Sequence, residues 1–261
     1  MTAMWEVPGP SGTRFSWIDH VEWTGSTNAD LLALAADGAP AGRVLIADHQ
    51  VAGRGRQGRT WHDEPGTSVL MSVLLRPPAA WAPVVPLLAG VAVADGVDAV
   101  VGVTADTSPV ALKWPNDVLV PGQGERKLSG ILAESISDDD GLAVVVGMGV
   151  NVKPSTAAPA DVAARAIAVH DLGPAIPTRD DVAGAILTAL DRRLAEAEEG
   201  GAAAVLAAYR PRCATIGRPV VLETPAATVE GTAVAVDDEG ALVIETDDGT
   251  VTIQAGDAHH R

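Results

Sequence analysis

The chain has 261 residues, 47% of them apolar, and a formal net charge of −16. That length supports one large domain, or one large and one small, with a full hydrophobic core, and the acidity speaks against a nucleic-acid surface, which must neutralise many phosphates. No uninterrupted apolar run reaches the roughly 18 residues of a membrane span, the opening "MTAMWEVPGPSGTR" lacks the layout of a signal peptide, and the single cysteine, Cys213, fits a reducing cytoplasm.

In chain order, residues 1–15 read as a loose leader. "STNADLLALAADGAPAG" predicts a short helix, with Ser26 or Thr27 as cap, Asp30 three residues beyond Thr27, and Gly38 as stop. "RVLIADHQ" is a short apolar strand, and "TSVLMSVLLRP" is too apolar for a one-sided surface, so it belongs in the centre of a sheet. "APVVPLLAGVAVADGVDAVV" predicts a buried helix whose prolines lie near its start, where they are tolerated. "VALKW", "VLV", "KLSGILAES" and "LAVVVGMGVNV" are strands linked by Gly- and Asp-rich turns, which points to an antiparallel run. Helices follow at 178–199 and 201–209, the first opening on Thr178 and two aspartates, as its dipole prefers. Beyond "YRPRCATIG", four short alternating strands joined by "DDEG" and "DDG" turns predict a small separate barrel.

Against the acidic background, "GRGRQGRTW" at 53–61 is a cationic loop containing no acid. Gly53, Gly55 and Gly58 free its backbone for close approach to a ligand. Arg54, Arg56 and Arg59 offer forked donors suited to carboxylate or phosphate oxygens. The loop is neither a P-loop nor a dinucleotide-binding turn, and by itself it is equally a solvated basic hairpin. In "LKWPNDVLV", Lys113 and Trp114 end a strand, Pro115 breaks the ladder, and Asn116 and Asp117 form either a polar site or an Asx turn. Lys127 introduces the next strand behind a polar loop, as a ligand contact or as a strand-edge charge. In "GMGVN", Gly147 and Gly149 mark close backbone approach, and Asn151 supplies an amide able to read a base edge or join a metal shell. Lysine is scarce: Lys113, Lys127 and Lys153 are the only three. Either composition is biased toward arginine, or the lysines that remain are used.

In this order and spacing, "STN", "HQVAGRGRQGRTW", "LKWPNDV", "RKLSGILAE" and "GMGVN" resemble the biotin–protein ligases (biotin–[acetyl-CoA-carboxylase] ligases) over residues 20–152. The terminal strands resemble the small SH3-like domain that ends those enzymes. Two-function members carry a helix-turn-helix ahead of this core; only residues 1–20 precede it here, so the resemblance implies the form without a DNA-binding repressor function. It further implies an α+β fold: a mixed, mainly antiparallel sheet with flanking helices, a class II synthetase-like core, in 16–212, and a C-terminal SH3-like β-barrel in 213–261.

The implied reaction joins biotin to a carrier lysine in two steps. The biotin carboxylate attacks the α-phosphorus of ATP, giving biotinyl-5′-AMP and pyrophosphate, and the acceptor amine then displaces AMP. At ~4 Å and an effective dielectric of about 20, each pair of like charges repels by roughly 4 kcal/mol. Fixed cations and Mg²⁺ must offset that repulsion, a task suited to a glycine-arginine loop that closes over the adenylate. The net acidity of the whole chain is screened by salt at longer range.

By resemblance, Ser26, Thr27 and Asn28 lie at the biotin head, and Gln50, Arg54, Gly55 and Arg56 line the biotin and adenylate site, with Arg56 on the reacting groups. Arg59 is a triphosphate contact and Trp61 a flat wall. Lys127 is the catalytic cation and also touches biotin, Lys113 and Asn116 face the nucleotide phosphates, Asp117 orients the incoming amine or accepts its proton, and Asn151 is an adenine or metal contact. No carboxylate cage is evident, so no metal ligand is assigned and Mg²⁺ is expected to be held through ATP phosphates. The implied partner is the biotin carboxyl carrier domain of a biotin-dependent carboxylase in the cytoplasm, with no nucleic acid and no membrane. A lipoate–protein ligase shares the chemistry and, by resemblance, the fold. A nucleic-acid-binding regulator using the arginine loop is the alternative from another class.

Overall fold

The computed structural model describes residues 4–122, 124–138, 141–224 and 227–260. Its first sheet is built from β1 (Met4–Pro8), β2 (Trp17–Thr24), β3 (Val44–Gln50), β4 (Ser68–Leu75), β5 (Ala111–Lys113), β6 (Asp117–Val120), β7 (Arg126–Asp138) and β8 (Gly141–Asn151). The spatial order is β1-β2-β3-β4-β8-β7-β6-β5. Only β2 and β3 pair in parallel; every other neighbouring pair is antiparallel, as expected from the short linking turns.

Both faces of this sheet are covered. Every residue of β4 is buried, which is why its sequence shows no polar alternation. Val69, Met71, Val73 and Leu75 join the main core beneath α2 (Val85–Val101) and α4 (Arg179–Tyr209). Leu74 points the other way, into a smaller cluster with Leu31 and Ala35 of α1 (Thr27–Ala36). The short α3 (Ala160–Ala163) lies between β8 and α4 in the chain. The helix spanning Ala79–Val101 is long and apolar enough to cross a membrane, yet 72% of its most apolar window is buried in the protein. A mostly apolar surface suits a helix packed between a sheet and α4, and its two acids, Asp95 and Asp98, pair with arginines that include Arg193 and Arg212.

Local signals were met at most expected places. Thr178 caps α4 through a capping box, accepting from the Asp181 amide at 3.1 Å while the Asp181 carboxylate takes the Thr178 amide at 2.8 Å. The predicted break before the second helix is a kink inside α4 at Gly201, whose φ of 66° is left-handed. Ser26 is the N-cap of α1 by backbone geometry, but its side chain makes no capping bond; Asp30 instead accepts from the Thr24 hydroxyl.

Two expectations fail. Part of the leader is strand β1, which pairs with β2, a strand no local signal announced. β1 is an edge strand, where Pro8 costs no ladder bond. The turn after it is fastened to α4 by Arg14, which meets Asp191 and Glu198 at 2.6 Å each. The C-terminal region forms the expected separate sheet from β9 (Pro219–Glu223), β10 (Thr228–Val236), β11 (Leu242–Thr246) and β12 (Gly249–Ile253), but with a fifth strand, β13 (Asp257–His260). Its order is β12-β11-β10-β9-β13. "DAHH" carries no alternation of apolar residues and becomes a strand by pairing with β9.

The two sheets are joined through buried groups. The indole of Trp114 donates to the Gly240 carbonyl at 3.0 Å, and Val220, Leu222 and Leu242 belong to the same core as α2. The Trp114 amide donates to Thr215 Oγ1 at 3.0 Å, which lies 3.0 Å from His260 Nε2. His260 Nδ1 lies 2.8 Å from a Glu125 oxygen, and Arg218 ion-pairs with the same carboxylate. A neutral imidazole with its proton on Nδ1 satisfies every partner: Thr215 donates to Nε2 and Nδ1 donates to Glu125. Burial pushes the His260 pKa below its ordinary 6.5, against the pull of Glu125 and with Lys113 and Arg218 adding to the push. Burial would raise Glu125, but His260, Arg218 and Lys113 hold it below 4.5.

Both groups bind protons more readily when the chain unfolds. Their contribution is therefore complete above pH 6.5, falls as pH drops through the ordinary histidine value, and falls again below 4.5. Replacing His260 with Ala should cost about 1–3 kcal/mol in urea unfolding at pH 7 and flatten the loss of stability between pH 7 and 5. Parallel pH profiles for the two proteins would contradict this joint.

Candidate functional site

At the start of α1, Ser26, Thr27 and Asn28 are buried, and the polar atoms of Thr27 and Asn28 join Gln50 and Ser72 in a connected arc. Thr27 donates to Gln50 Oε1 from its amide at 2.8 Å and its hydroxyl at 3.0 Å. Ser72 Oγ lies 2.7 Å from the Thr27 hydroxyl and donates to Asn28 Oδ1 at 2.6 Å. Asn28 Nδ2 donates to the Leu132 carbonyl at 3.1 Å and to Glu134 at 2.9 Å. This arc borders a cavity of about 30 Å³ that Arg54 and Trp61 also line.

The floor is glycine for a packing reason. Gly130 of β7 faces Gly149 of β8, and Gly147 lies two pairs further along. A Cβ on Gly149 would stand 2.6 Å from the Trp61 indole, and one on Gly130 would stand 3.1 Å from both that ring and Lys127 Nζ. One on Gly147 would strike Asn28 Oδ1. The bare backbone admits the indole flat against the sheet. Trp61 Nε1 is buried with no acceptor among the described residues, a donor left for a ligand.

The arginine loop stands on fixed feet: the Val51 and Ala52 amides donate to Thr24 and Gly25 at 2.9 Å each, and the Trp61 amide donates to Gly53 at 3.0 Å. Its tip turns through Gln57 and Gly58, both at positive φ. Arg54 reaches Glu134 at 3.2 Å. Arg56 donates to Asn116 Oδ1 at 3.1 Å and to the Gly256 carbonyl at 3.2 Å, and lies 3.8 Å from Asp257. Arg59 ion-pairs with Asp257 directly. Burial lowers the Arg56 pKa more than Asp257 and Asp117 raise it, and the charge of Arg59 adds to the lowering. Arg56 is thus a desolvated cation with incomplete compensation.

Lys127 Nζ is 2.7 Å from Asp117 and 5.9 Å from the centre of the Trp61 ring. Its strand is held from the side: Lys127 donates its amide to Arg165 at 2.7 Å and accepts from Ile167 at 3.0 Å. Asn151 Nδ2 donates to the carbonyls of Lys127 and Ile167 at 3.3 and 3.2 Å, so its amide nitrogen clasps these two segments. Lys113 sits opposite Asp117 in the β5–β6 ladder.

Every candidate site residue lines one of three adjoining cavities. Arg54, Trp61, Gly130 and Leu132 are shared between the first cavity and a second of about 150 Å³, which also takes in Gly55, Arg56, Asn116 and Asp257. Arg59, Trp61, Lys113, Asp117 and Lys127 are shared between the second and a third of about 600 Å³, which Asn151 lines. Sequence reading missed Ser72, although a serine inside "VLMSVLL" is a visible irregularity. It also missed Asp257, whose partners lie 198 and more residues away and leave no local mark. Among the described residues, no group of three His, Cys, Asp or Glu side chains could hold a metal ion.

The model of the biotin/lipoate A/B protein ligase family matches residues 20–151, just over half the chain. The chain belongs to that family. A second model, the biotin protein ligase C terminal domain, matches residues 215–261. The biotin–[acetyl-CoA-carboxylase] ligase of Mycobacterium tuberculosis is 41% identical over 256 residues, covering 96% of this chain and 91% of that one. Among solved structures, the biotin protein ligase from Aquifex aeolicus in complex with biotin and ATP matches with a TM-score of 0.78 at 26% identity, over 94% of this chain and 98% of that one. The biotin protein ligase from Leishmania major in complex with biotinyl-5-AMP matches with a TM-score of 0.60 at 26% identity, over 91% and 98%. As in the family's two matched segments, the site here draws on both: Asp257 from the second holds the arginines of the first.

That contact predicts a local effect. Asp257→Asn should free the loop, raising tryptic cleavage at Arg54, Arg56 and Arg59 by about fivefold, the opening expected from losing roughly 1 kcal/mol of ion pairing. Cleavage at the parent rate would contradict it.

Proposed function

We propose that this chain attaches biotin to a lysine of a biotin carboxyl carrier domain through biotinyl-5′-AMP, consuming ATP. One observation carries the reading: Arg56 and Lys127, from separate segments, line the middle cavity between a polar pit and a large cation-lined chamber. Membership of the biotin/lipoate ligase family and likeness to biotin ligases over nearly the whole chain support it. The polar arc of Thr27, Asn28, Gln50 and Ser72 suits a ureido head group. At about 30 Å³ that pit is smaller than its ligand. The Trp61 indole over Gly130 and Gly149 is the side chain that yields on entry.

The carboxylate then points into the middle cavity, where Arg56 and Lys127 offset its repulsion from the α-phosphate. Carboxylate oxygen attacks the α-phosphorus and pyrophosphate leaves, stabilised by Lys113 and Arg59. In the second step the acceptor amine attacks the acyl carbon, the bond to AMP breaks, an amide forms, and the amine's proton leaves. Asp117, 2.7 Å from Lys127 Nζ, is placed to orient that amine. Magnesium arrives with the nucleotide as part of the substrate, bound by phosphates and water. Residues 16–212 form the catalytic unit and 213–261 the C-terminal one. The setting is the cytoplasm, with the carrier domain as partner and neither DNA nor a membrane, in keeping with the net charge of −16.

Biotin-dependent exchange between pyrophosphate and ATP tests the first step. The parent should catalyse it with biotin and not with lipoate, and Lys127→Ala should lose a hundredfold or more, on the order of one preorganised charge contact, with its unfolding midpoint retained. Exchange driven by lipoate alone, or an undiminished Lys127→Ala, would overturn the reading.

A further inference from the structure

Lys113, Lys127 and Lys153, all the lysines of the chain, line the same cavity of about 600 Å³. Lys127 is paired with Asp117 and Lys113 acts on Glu125 through its charge, whereas Lys153 makes no ion pair among the described residues. Most arginines, by contrast, are ion-paired, as Arg14, Arg43, Arg179, Arg193 and Arg212 show. With 34 acidic residues against 18 basic ones, an unpaired ammonium is unusual in this chain.

Lys153 is also held in place. Its amide and that of Val152 both donate to the Thr67 carbonyl at 2.9 Å, directly beyond the end of β8. The acid touching this segment, Glu64, is turned away from it onto the loop that follows, accepting from Ser155 Oγ at 3.1 Å and from the Thr156 and Ala157 amides at 2.8 and 3.3 Å. Of the other acids lining the cavity, Asp117 pairs with Lys127, Glu125 with Arg218, and Asp171 accepts from the Ala168 amide at 3.0 Å, so the ammonium makes no ion pair on its pinned backbone.

Its position along the run of cavities narrows what it meets. The acyl pit does not include Lys153, nor does the middle cavity; Lys153 lines only the third, which opens past Lys127. Adenine and ribose are uncharged, so an unbalanced cation there matches the outer phosphates of a nucleotide. We propose that Lys153 is a further nucleotide-binding residue, contacting the β- or γ-phosphate of ATP. The proposal rests on the third cavity holding the nucleotide in the ligation reaction.

The test uses the full chain and its Lys153→Met and Lys153→Arg variants, titrated calorimetrically with biotin present. The probes are the α,β-methylene analogue of ATP, with magnesium, and AMP. Lys153→Met should bind the analogue about tenfold more weakly, the worth of one charge-assisted hydrogen bond, and AMP as the parent does, while Lys153→Arg recovers most of the loss. The KM for ATP should rise by a similar factor, with the KM values for biotin and for the carrier domain unmoved. Unchanged binding of the analogue overturns the proposal, as does an equal loss for analogue and AMP. A rise confined to the KM for the carrier domain overturns it too, and places Lys153 on the acceptor protein instead. If the parent shows no biotin-dependent exchange yet binds the analogue through Lys153, the ligation reading fails and the phosphate contact stands.

Discussion

The site is governed by the cost of bringing a carboxylate against a polyphosphate inside a protein that is itself strongly acidic. Cations must be fixed in advance at the meeting point, and they must not be neutralised there so completely that nothing is left for substrate. Arg56 and Lys127 meet both conditions by different means. Arg56 is half-buried, shares Asp257 with Arg59, and gives its remaining contacts to neutral oxygens of Asn116 and Gly256. Lys127 has a full carboxylate partner in Asp117 but keeps its ammonium at the cavity wall.

The sheet makes this arrangement possible. β7 and β8 run side by side through the centre, with Gly130 and Gly149 opposed and Gly147 two residues on, and the missing side chains are the space that Trp61 and Asn28 occupy. The polar arc under α1 belongs to the same construction, since Ser72 on fully buried β4 can be polar only because Thr27 and Asn28 meet it. The C-terminal sheet contributes beyond stability. Asp257 and Gly256 reach the arginine loop, and Glu125, His260 and Thr215 connect β13 to the strand end that carries Lys113.

Much of this was legible in the sequence, and the limits have physical causes. The cationic loop, the glycines of "GMGVN" and the lysine-bearing strands stand out because their chemistry departs locally from an acidic, apolar background. Buried β4 and α2 announced themselves by their mostly apolar runs, and the start of α4 by Thr178 and the two aspartates after it. What stayed hidden depends on contacts far apart in the chain. β1 exists because β2 offers an edge, and β13 because β9 does. Asp257 looks like any surface acid until the fold sets it beside Arg56 and Arg59. Asn151 read as a ligand amide, while its nitrogen ties β7 to the segment at 165–167.

The most direct measurement is a crystal structure of the chain with biotinyl-5′-AMP bound. The account predicts the acyl-phosphate oxygens within hydrogen-bonding distance of both Arg56 and Lys127, with the Trp61 indole moved off Gly149. An adenylate seated elsewhere, with Arg56 still facing Gly256 and Asp257 and no cation at the acyl phosphate, would contradict it.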